Sequence, residues 1–527
     1  MSYFGLTSPA PNPVVTKPRG IYAPRSTPRM VSARGYGAGE ITRLNQTWQS
    51  SPLTSDQVLY RELSILRARS RDSFEREPIA KKFVKMCATN IWGPNGMILM
   101  SRVVDQDGQS DPLTNKAIES AWRKWGKKRN NDIEGKLSFW SMGALIVKNM
   151  AIDGEVILRL HTTKAAPMGA ALQLIDPELL DVKCNKQLEN GNIVRLGVEF
   201  DSYGRAVAYH FIDVDAINRP LGYLIPTYAA SSKHRRIPAN QIIHAFIRER
   251  VGQTRGVPWF ASAASRLQQL GMFEEAALIN ARVGASKMGF WKRTGGKRVF
   301  DGQEVDSTGT LYEDTAPGEF REVPSDAEMI DWNPEYPNAE MPIFCKHMLR
   351  TIAAGAGDGV AYHNLANDLE SVNFASSRQG ELSERDAWLT LQRVMVEEVL
   401  DPVYEWWLPI QLLLGNVSIA GQPLDPTPQD AYFEQLWLGR RWPWVDPVKD
   451  ANSNIALVNA RAKSLFEVIR ELGKDPEAVL DEIALVQEEL KKRKIEMPAV
   501  LAAVAQQPKK QDSSSSDGGP ADDGGDQ

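Results

Sequence analysis

The sequence predicts a helix-rich α+β chain with an unstructured segment at each end. Three observations predict it. Apolar residues recur at three- and four-residue intervals over long stretches of the second half. Short alternating apolar runs bounded by turn residues gather in the first half. Both ends lack core-forming residues. With 527 residues, 42% of them hydrophobic, the chain can bury a substantial core in roughly two to four domains.

Residues 1–45 are rich in Pro, Arg, Ser and Gly; positions 1–43 hold six Lys/Arg against one acid, Glu40, which predicts a flexible arm. Helices are expected near 55–70 and 75–90, followed by a turn at "WGPNG" (92–96). "SDPLTNKAIESAWRKWGKK" opens with a Ser/Asp–Pro helix entry and places Ile118, Trp122 and Trp125 on one face. A helix over 136–150 runs into a strand, "GEVILRLH" (154–161). In "IVRLGVEFDSYGRAVAYHF" (193–211), Val194, Leu196, Val198 and Phe200 alternate, "DSYGR" turns, and Val207, Tyr209 and Phe211 alternate back, which predicts a hairpin. "QIIHAF" (241–246) is a further short strand.

From "RGVPW" (255–259) the character changes. Residues 259–287 are Ala-rich and helical, and small side chains let helices approach closely. A mixed stretch follows, then a helix carrying Met341, Phe344, Met348 and Ile352 on one face. Trp388, Leu391, Met395, Val399, Val403 and Trp406 mark a long helix expected to break at Asp401–Pro402. Between the two lies "LANDLESVNFASSRQG" (365–380), small and polar, after "GAGDG" (355–359). A two-helix hairpin is expected near the end: Ile455, Val458, Ala462, Leu465, Ile469 and Leu472 form one stripe, and "DP" (475–476) opens the second helix. The last stretch, with five Asp and no base over 511–527, predicts a disordered acidic tail.

Composition and motifs exclude several classes of chemistry. A net charge of −4 gives no global signal for nucleic-acid binding. Three well-separated cysteines, Cys87, Cys184 and Cys345, argue against a disulfide framework and fit a reducing compartment. The N-terminus has no apolar signal region, and "WWLPIQLLLG" (406–415) is too short to span a bilayer, so a soluble, intracellular chain is expected as it folds. "GAGDG" lacks the GK[ST] ending of a P-loop, and helix termination is the plainer account of Gly355 and Gly357. Cys345 and His347, two apart on a helix, point in opposed directions and cannot share a metal. There is no HExxH, CxxC or GxSxG. His161, His210 and His244 sit in strands and are expected to be structural. The run 61–85, with eight Lys/Arg and four acids, is expected to be a solvated helix face with some i,i+4 pairing. No catalytic, cofactor or metal residue is assigned, and the residues alone argue for a helix-rich protein that is not an enzyme.

An ordered set of stretches resembles the lambda-type family of tailed-phage portal (head–tail connector) proteins. It runs from "GYGAG" (35–39) and "LRARSRDSFERE" (66–77) through "DGEVILRLH" (153–161), "LQLIDPELL" (172–180) and "GVEFDSYGRAVAYHF" (197–211). It continues in "IPANQIIHAF" (237–246) and "GQTRGVPW" (252–259), and is sharpest in "LESVNFASSRQG" (369–380) and "RRWPWVDPVKD" (440–450). Phe374 and Ala375 stand where the family more often shows a Tyr–Ser pair.

The resemblance implies a portal fold: an arm (1–45), an α+β wing (46–258), a first stem helix (259–287) and a clip (288–337). A second stem helix (338–356), a tunnel loop (357–375), a long wing helix with further wing (376–450), a helical crown (451–497) and the acidic tail (498–527) complete it. It implies a homo-dodecameric ring at the unique capsid vertex, in the virion and in host cytoplasm during assembly. Double-stranded DNA would pass through it during packaging and ejection without sequence preference. Its other implied partners are the major capsid protein, the terminase large subunit and head-completion or adaptor proteins, with no cofactor, metal or membrane. The alternative is another head-assembly component, such as a packaging enzyme, a scaffold or an adaptor. Candidate channel residues are Asn364, Asn367, Asp368, Glu370, Asn373, Ser376 and Ser377, in a stretch without Lys or Arg until Arg378. Every cation fixed on a phosphate adds affinity, which acts as friction on moving DNA. Candidate motor-docking residues in the clip are Trp291, Lys292, Arg293, Lys297 and Arg298.

Overall fold

Helix α1 (Ser55–Arg76) starts on a capping box in which Thr54 accepts from the Gln57 backbone and the Gln57 side chain accepts from Thr54 N–H. The computed structural model describes residues 52–105, 107–212, 234–285, 289–293, 327–331, 340–357, 360–370, 374–427, 429–442 and 447–493. The expected arm, the acidic tail and most of the expected clip lie outside these residues. Pro78, whose missing N–H costs nothing in a first turn, opens α2 (Pro78–Cys87), which continues through a π-turn to Trp92. Strand β1 (Ile98–Ser101) leads to α3 (Pro112–Trp125), capped by the Asp111 carboxylate on two backbone amides. Helix α4 (Phe139–Asp153) ends at left-handed Gly154.

Two antiparallel sheets follow. The first has order β3-β2-β9, from β2 (Glu155–Thr162), β3 (Ala170–Ile175) and β9 (Ile242–Phe246). The second is a meander of β4 (Lys186–Gln187), β5 (Ile193–Arg195), β6 (Val198–Phe200), β7 (Ala206–Ile212) and β8 (His234–Pro238). The run 193–200, which alternates like a single strand, is two strands. Arg195 pairs with Val198 across a two-residue turn in which Leu196 and Gly197 both have positive φ, 49° and 87°. That is a hairpin turn, and Leu196 points inward despite its strained backbone because its side chain is 2% exposed. The hairpin expected at "DSYGR" forms between β6 and β7. Ile157, Ile175, Leu180, Val198, Tyr209, Phe211 and Ile242 fill the space where the two sheets meet.

The long helices α5 (Ala261–Ala285) and α6 (Met341–Gly355) come next, with the strand pair β10 (Gly289–Arg293) and β11 (Ala327–Asp331) between them in sequence. A short helix α7 (Tyr362–Ala366) precedes α8 (Phe374–Met395). The break expected at Asp401–Pro402 is instead a π-turn over Val396–Leu400 that passes into α9 (Asp401–Leu413). The wider turn accommodates a proline that offers no N–H, so the helix runs on. After the small hairpin β12 (Ser418–Ile419) and β13 (Gln422–Pro423), strand β14 (Gln435–Leu438) pairs antiparallel with β1.

The main core therefore draws on both ends of the described chain. Trp122 packs edge-on against Trp407 (4.9 Å) and Trp437 (5.4 Å), and Trp125 Nε1 donates to Ala170 O at 2.8 Å. The expected terminal hairpin is three helices, α10 (Pro447–Asn459), α11 (Leu465–Glu471) and α12 (Pro476–Arg493). The stripe from Ile455 to Leu472 is interrupted where Arg461 turns left-handed and Ser464 caps α11; of its members only Ile469 is buried. Among the described residues no helix is long and apolar enough to cross a membrane.

Candidate functional site

The most polar part of the core lies where "DGE" (153–155) crosses "RGVPW" (255–259). A Cβ on Gly256 would lie 2.1 Å from Gly154 O, and one on Gly154 would lie 2.2 Å from the Val257 carbonyl carbon, so the backbones touch only because both are glycine. Glu155, fully buried, accepts from Arg67 Nη2 (2.5 Å), Arg255 Nη2 (2.5 Å), the Gly256 amide (2.8 Å) and His244 Nε2 (3.0 Å). Arg255 also donates to Leu180 O, Leu196 O and Pro177 O, and Arg67 to Glu178 and Asp153 O. Burial alone would raise the Glu155 carboxyl, but Arg255, Arg67 and His244 outweigh it and hold it well below the ordinary range. Burial pushes His244 down, against the pull of Glu155. Arg71 bonds Asp153 (2.6 Å) and Asp176 (2.8 Å). The run 61–85 is thus not simply a solvated face: Arg67 and Arg71 point into the protein, and the Arg76–Asp72 pair is the expected i,i+4 kind.

From this clasp a pair of backbone hydrogen bonds leads to the loop singled out by sequence. Trp259 N–H donates to Ala151 O (3.1 Å), and Trp259 O accepts from Gly357 N–H (2.8 Å), at the root of the loop. Helices α5 and α6 run antiparallel: Ser262 Oγ donates to Gly355 O at one end, and Phe273 packs at a tilt against Phe344 (4.9 Å) further along. Met272, Leu278, Ile279 and Ile343 face outward, 63%, 52%, 52% and 72% exposed.

The expected uninterrupted polar loop contains α7, and Leu365 on it is buried in the main core. Polar groups of the segment are tied down. Lys82 on α2 donates to Asn364 O and Asn367 Oδ1. Asn364 Nδ2 donates to Glu384 on α8 (2.6 Å). Asp368 accepts from Tyr362 OH (2.7 Å) and pairs with Lys346 on α6 (2.6 Å), which hold its carboxyl down to about 2. Arg350 lies 5.4 Å from the centre of the Tyr362 ring. Asn367, with φ 56°, makes the turn after α7.

Of the candidate channel residues, Asn364, Asn367 and Asp368, on or just after α7, are therefore bonded to side chains of α2, α6 and α8, and Glu370 is exposed. Ser376 and Ser377 lie on α8, and Asn373 lies outside the described residues. Trp291, Lys292 and Arg293 lie on β10, paired in register with Met329, Glu328 and Ala327; Lys297 and Arg298 lie outside the described residues. Sequence reasoning missed Lys82, Lys346, Arg350 and Glu384, since Lys82 contacts residues 282 and 285 positions away. His161, His210 and His244 each bond a side chain: Gln173, Glu199 and Glu155. Among the described residues no group of His, Cys, Asp and Glu is placed to hold a metal ion.

A family profile described as phage portal protein, lambda family, matches residues 42–392. A probable portal protein of Halomonas phage phiHAP-1 is 32% identical over 462 residues, covering 86% of each chain. Solved structures that align include a chain of the neck of an empty GTA particle computed with C6 symmetry, with a TM-score of 0.43 and 14% identity, over 82% of this chain and 98% of that one. A chain of the virion of a native gene transfer agent particle aligns with a TM-score of 0.43 and 13% identity, over the same shares.

Proposed function

The chain belongs to the lambda family of phage portal proteins, and on that premise we propose that it forms a dodecameric ring whose channel carries double-stranded DNA into and out of the head. In this reading α5 and α6 are the stem, the segment around 360–370 faces the channel, and the stretch between the stem helices docks the packaging motor and later the head-completion proteins. The ring sits at one capsid vertex against the major capsid protein, and it assembles in the host cytoplasm. It performs no catalysis of its own.

The observation that carries this reading is the outer face of the stem. The helices bury Ala263, Leu267, Leu270, Ala277, Ile352 and Ala353, yet present Met272, Leu278, Ile279 and Ile343 to solvent. Large apolar side chains exposed on two adjacent helices fit an interface, and a ring supplies one on every subunit. The absence of Lys and Arg from 358–377 supports a passage that does not grip, since phosphate contacts add affinity through counterion release. The chain's net negative charge multiplies with subunit number and acts in the same direction.

Negative-stain imaging with light scattering tests the proposal. The parent is expected to give rings with a central hole, and Leu278→Asp with Ile343→Asp is expected to give a folded monomer, because each charge would be buried unpaired in the interface. A parent that remains monomeric at micromolar concentration, or a double variant that assembles normally, would remove the ring assignment of these faces.

A further inference from the structure

Where α3 ends, Arg123, Lys124, Lys127, Lys128 and Arg129 place five cations in seven positions, all of them exposed. Arg123 Nε donates to a backbone carbonyl, Glu119 O, and among the described residues none of the five pairs with a carboxylate. The acids closest in sequence are engaged elsewhere. Glu119 accepts from Ser101 N–H (3.0 Å), Asp132 from the amides of Glu134, Lys136 and Leu137, and Glu134 pairs with Lys136 (2.7 Å). The helix dipole accounts for Arg123 and Lys124, which lie in the last turn. It does not account for Lys127, Lys128 and Arg129, which follow the helix.

The turn that carries them is fixed. Lys127 N–H donates to Lys124 O, Asn130 N–H to Lys127 O, Asn130 Nδ2 to Lys124 O (2.7 Å) and Phe139 N–H to Gly126 O (2.9 Å). Trp122 and Trp125 root it in the main core. Like charges so close along a fixed chain lie within roughly one Debye length of their neighbours, about 10 Å at 0.1 M salt, and repel. An anionic partner relieves that repulsion, and the chain itself carries one. Residues 511–527 hold Asp512, Asp517, Asp522, Asp523 and Asp526 with no Lys or Arg.

Helix α12 brings this segment within reach. It is tied to the same helix α3 by Lys116–Asp481 (2.7 Å), and to the end of β1 by Arg102–Glu477 (3.4 Å). From Asp481 to the end of α12 is about 18 Å, and from Lys116 to Arg123 about 10 Å. Residues 494–511 span up to about 60 Å when extended. Exposed ion pairs contribute little singly, but a tether of this length makes the encounter intramolecular, at an effective concentration on the order of millimolar. A nucleic-acid backbone offers similar charge without that advantage. We propose that the basic turn 123–129 is the docking site of the acidic segment 511–527 of the same chain.

The test uses full-length protein and two readouts. Zero-length carbodiimide coupling with peptide mapping is expected to join aspartates of 511–527 to Lys124, Lys127 or Lys128 at 0.1 M salt, and to lose these products at 1 M, where the Debye length is about 3 Å. Coupling chiefly to Lys491 and Lys492, the lysines of α12 nearest the segment in sequence, would overturn the proposal, as would products at the turn that persist at 1 M salt. The second readout is anisotropy of a fluorescein-labelled duplex over a salt series. Changing all five aspartates to asparagine frees the turn, so the log K–log salt slope should steepen by at least about 0.9, the value of one added phosphate contact. Adding Lys124→Gln, Lys127→Gln and Lys128→Gln should return it to the parent's. A duplex bound equally with and without the aspartates, and released by the lysine substitutions, would make nucleic acid the partner of the turn and overturn the proposal. A steeper slope that survives the lysine substitutions would overturn it too.

Discussion

Glu155→Gln is the substitution for which the structure gives the clearest magnitude. It keeps the shape of the side chain and one acceptor oxygen but removes the charge between Arg67 and Arg255, whose side chains are 1% and 0% exposed. Removing one partner of a buried ion pair costs about 3–5 kcal/mol, because the remaining charge is left without compensation. Here two guanidinium groups remain. Glu178, 3.2 Å from Arg67 and 31% exposed, offsets part of their repulsion, and the Arg255 bonds to three carbonyls survive. The lower part of that range, about 3 kcal/mol, is therefore expected. Urea unfolding followed by tryptophan fluorescence should show a midpoint lower by roughly 1 M, for a slope of about 3 kcal/mol/M. The effect should also be local. Glu155 fixes Gly256, and Trp259 O in turn holds Gly357 N–H, so the amides of 255–260 and Gly357 should exchange faster beyond the global change. A loss below about 1 kcal/mol would refute the reasoning, since it would mean that water or rearrangement compensates both arginines.

Two further predictions follow from the same structure. His244 is buried with its pKa held below 6.5, so its contribution is full above pH 6.5 and is lost as pH falls through the folded value, because the unfolded chain binds the proton first. His244→Gln should flatten the stability profile below pH 6.5 by up to about 1.4 kcal/mol per pH unit, measured by urea midpoints across pH. If the stretch between α5 and α6 docks the packaging motor as proposed, charge reversal at Lys292, Arg293 and Lys297 should weaken motor binding in a pull-down while rings still form in the microscope; unchanged capture would place the docking surface elsewhere.

The elements that sequence predicted well are those whose pattern is local. Pro112 after Asp111 announces α3, and the "DSYGR" turn sets the β6–β7 hairpin within a few residues of its strands. What could not be read locally was decided by distant partners. Leu196 fits an alternating strand, and only the carbonyl it offers to buried Arg255, 59 positions away, shows why the chain turns there. Arg67 sits in a run that satisfies every criterion for a solvated face, because its partner Glu155 is 88 residues further on. The candidate loop was legible as polar, small and free of cations. Its tethering was not, since the polarity that suits a channel wall also suits hydrogen bonds to Lys82 and Lys346. Outward-facing residues of α5 and α6 are ambiguous in the same way: periodicity marks an apolar face without saying whether the chain itself covers it.

The pairing of β1 with β14 has a consequence for how the protein is made. Trp122 and Trp125 lie in the first quarter of the chain, but their neighbours Trp407 and Trp437 follow roughly 300 residues later. At about 5–20 residues per second, a ribosome exposes the early tryptophans for about 15–60 s before it delivers the residues that cover them. The aromatic surface waiting at that stage is the kind that chaperones bind and that drives aggregation, so yield should depend on chaperone supply more than on final stability. A fragment ending before α9 should be recovered insoluble even though most of its helices and sheets are encoded within it. Helices α5, α6 and α7 add Leu267, Leu270, Ile352 and Leu365 to the same core, and all of them are made before Trp407 and Trp437 arrive to close it.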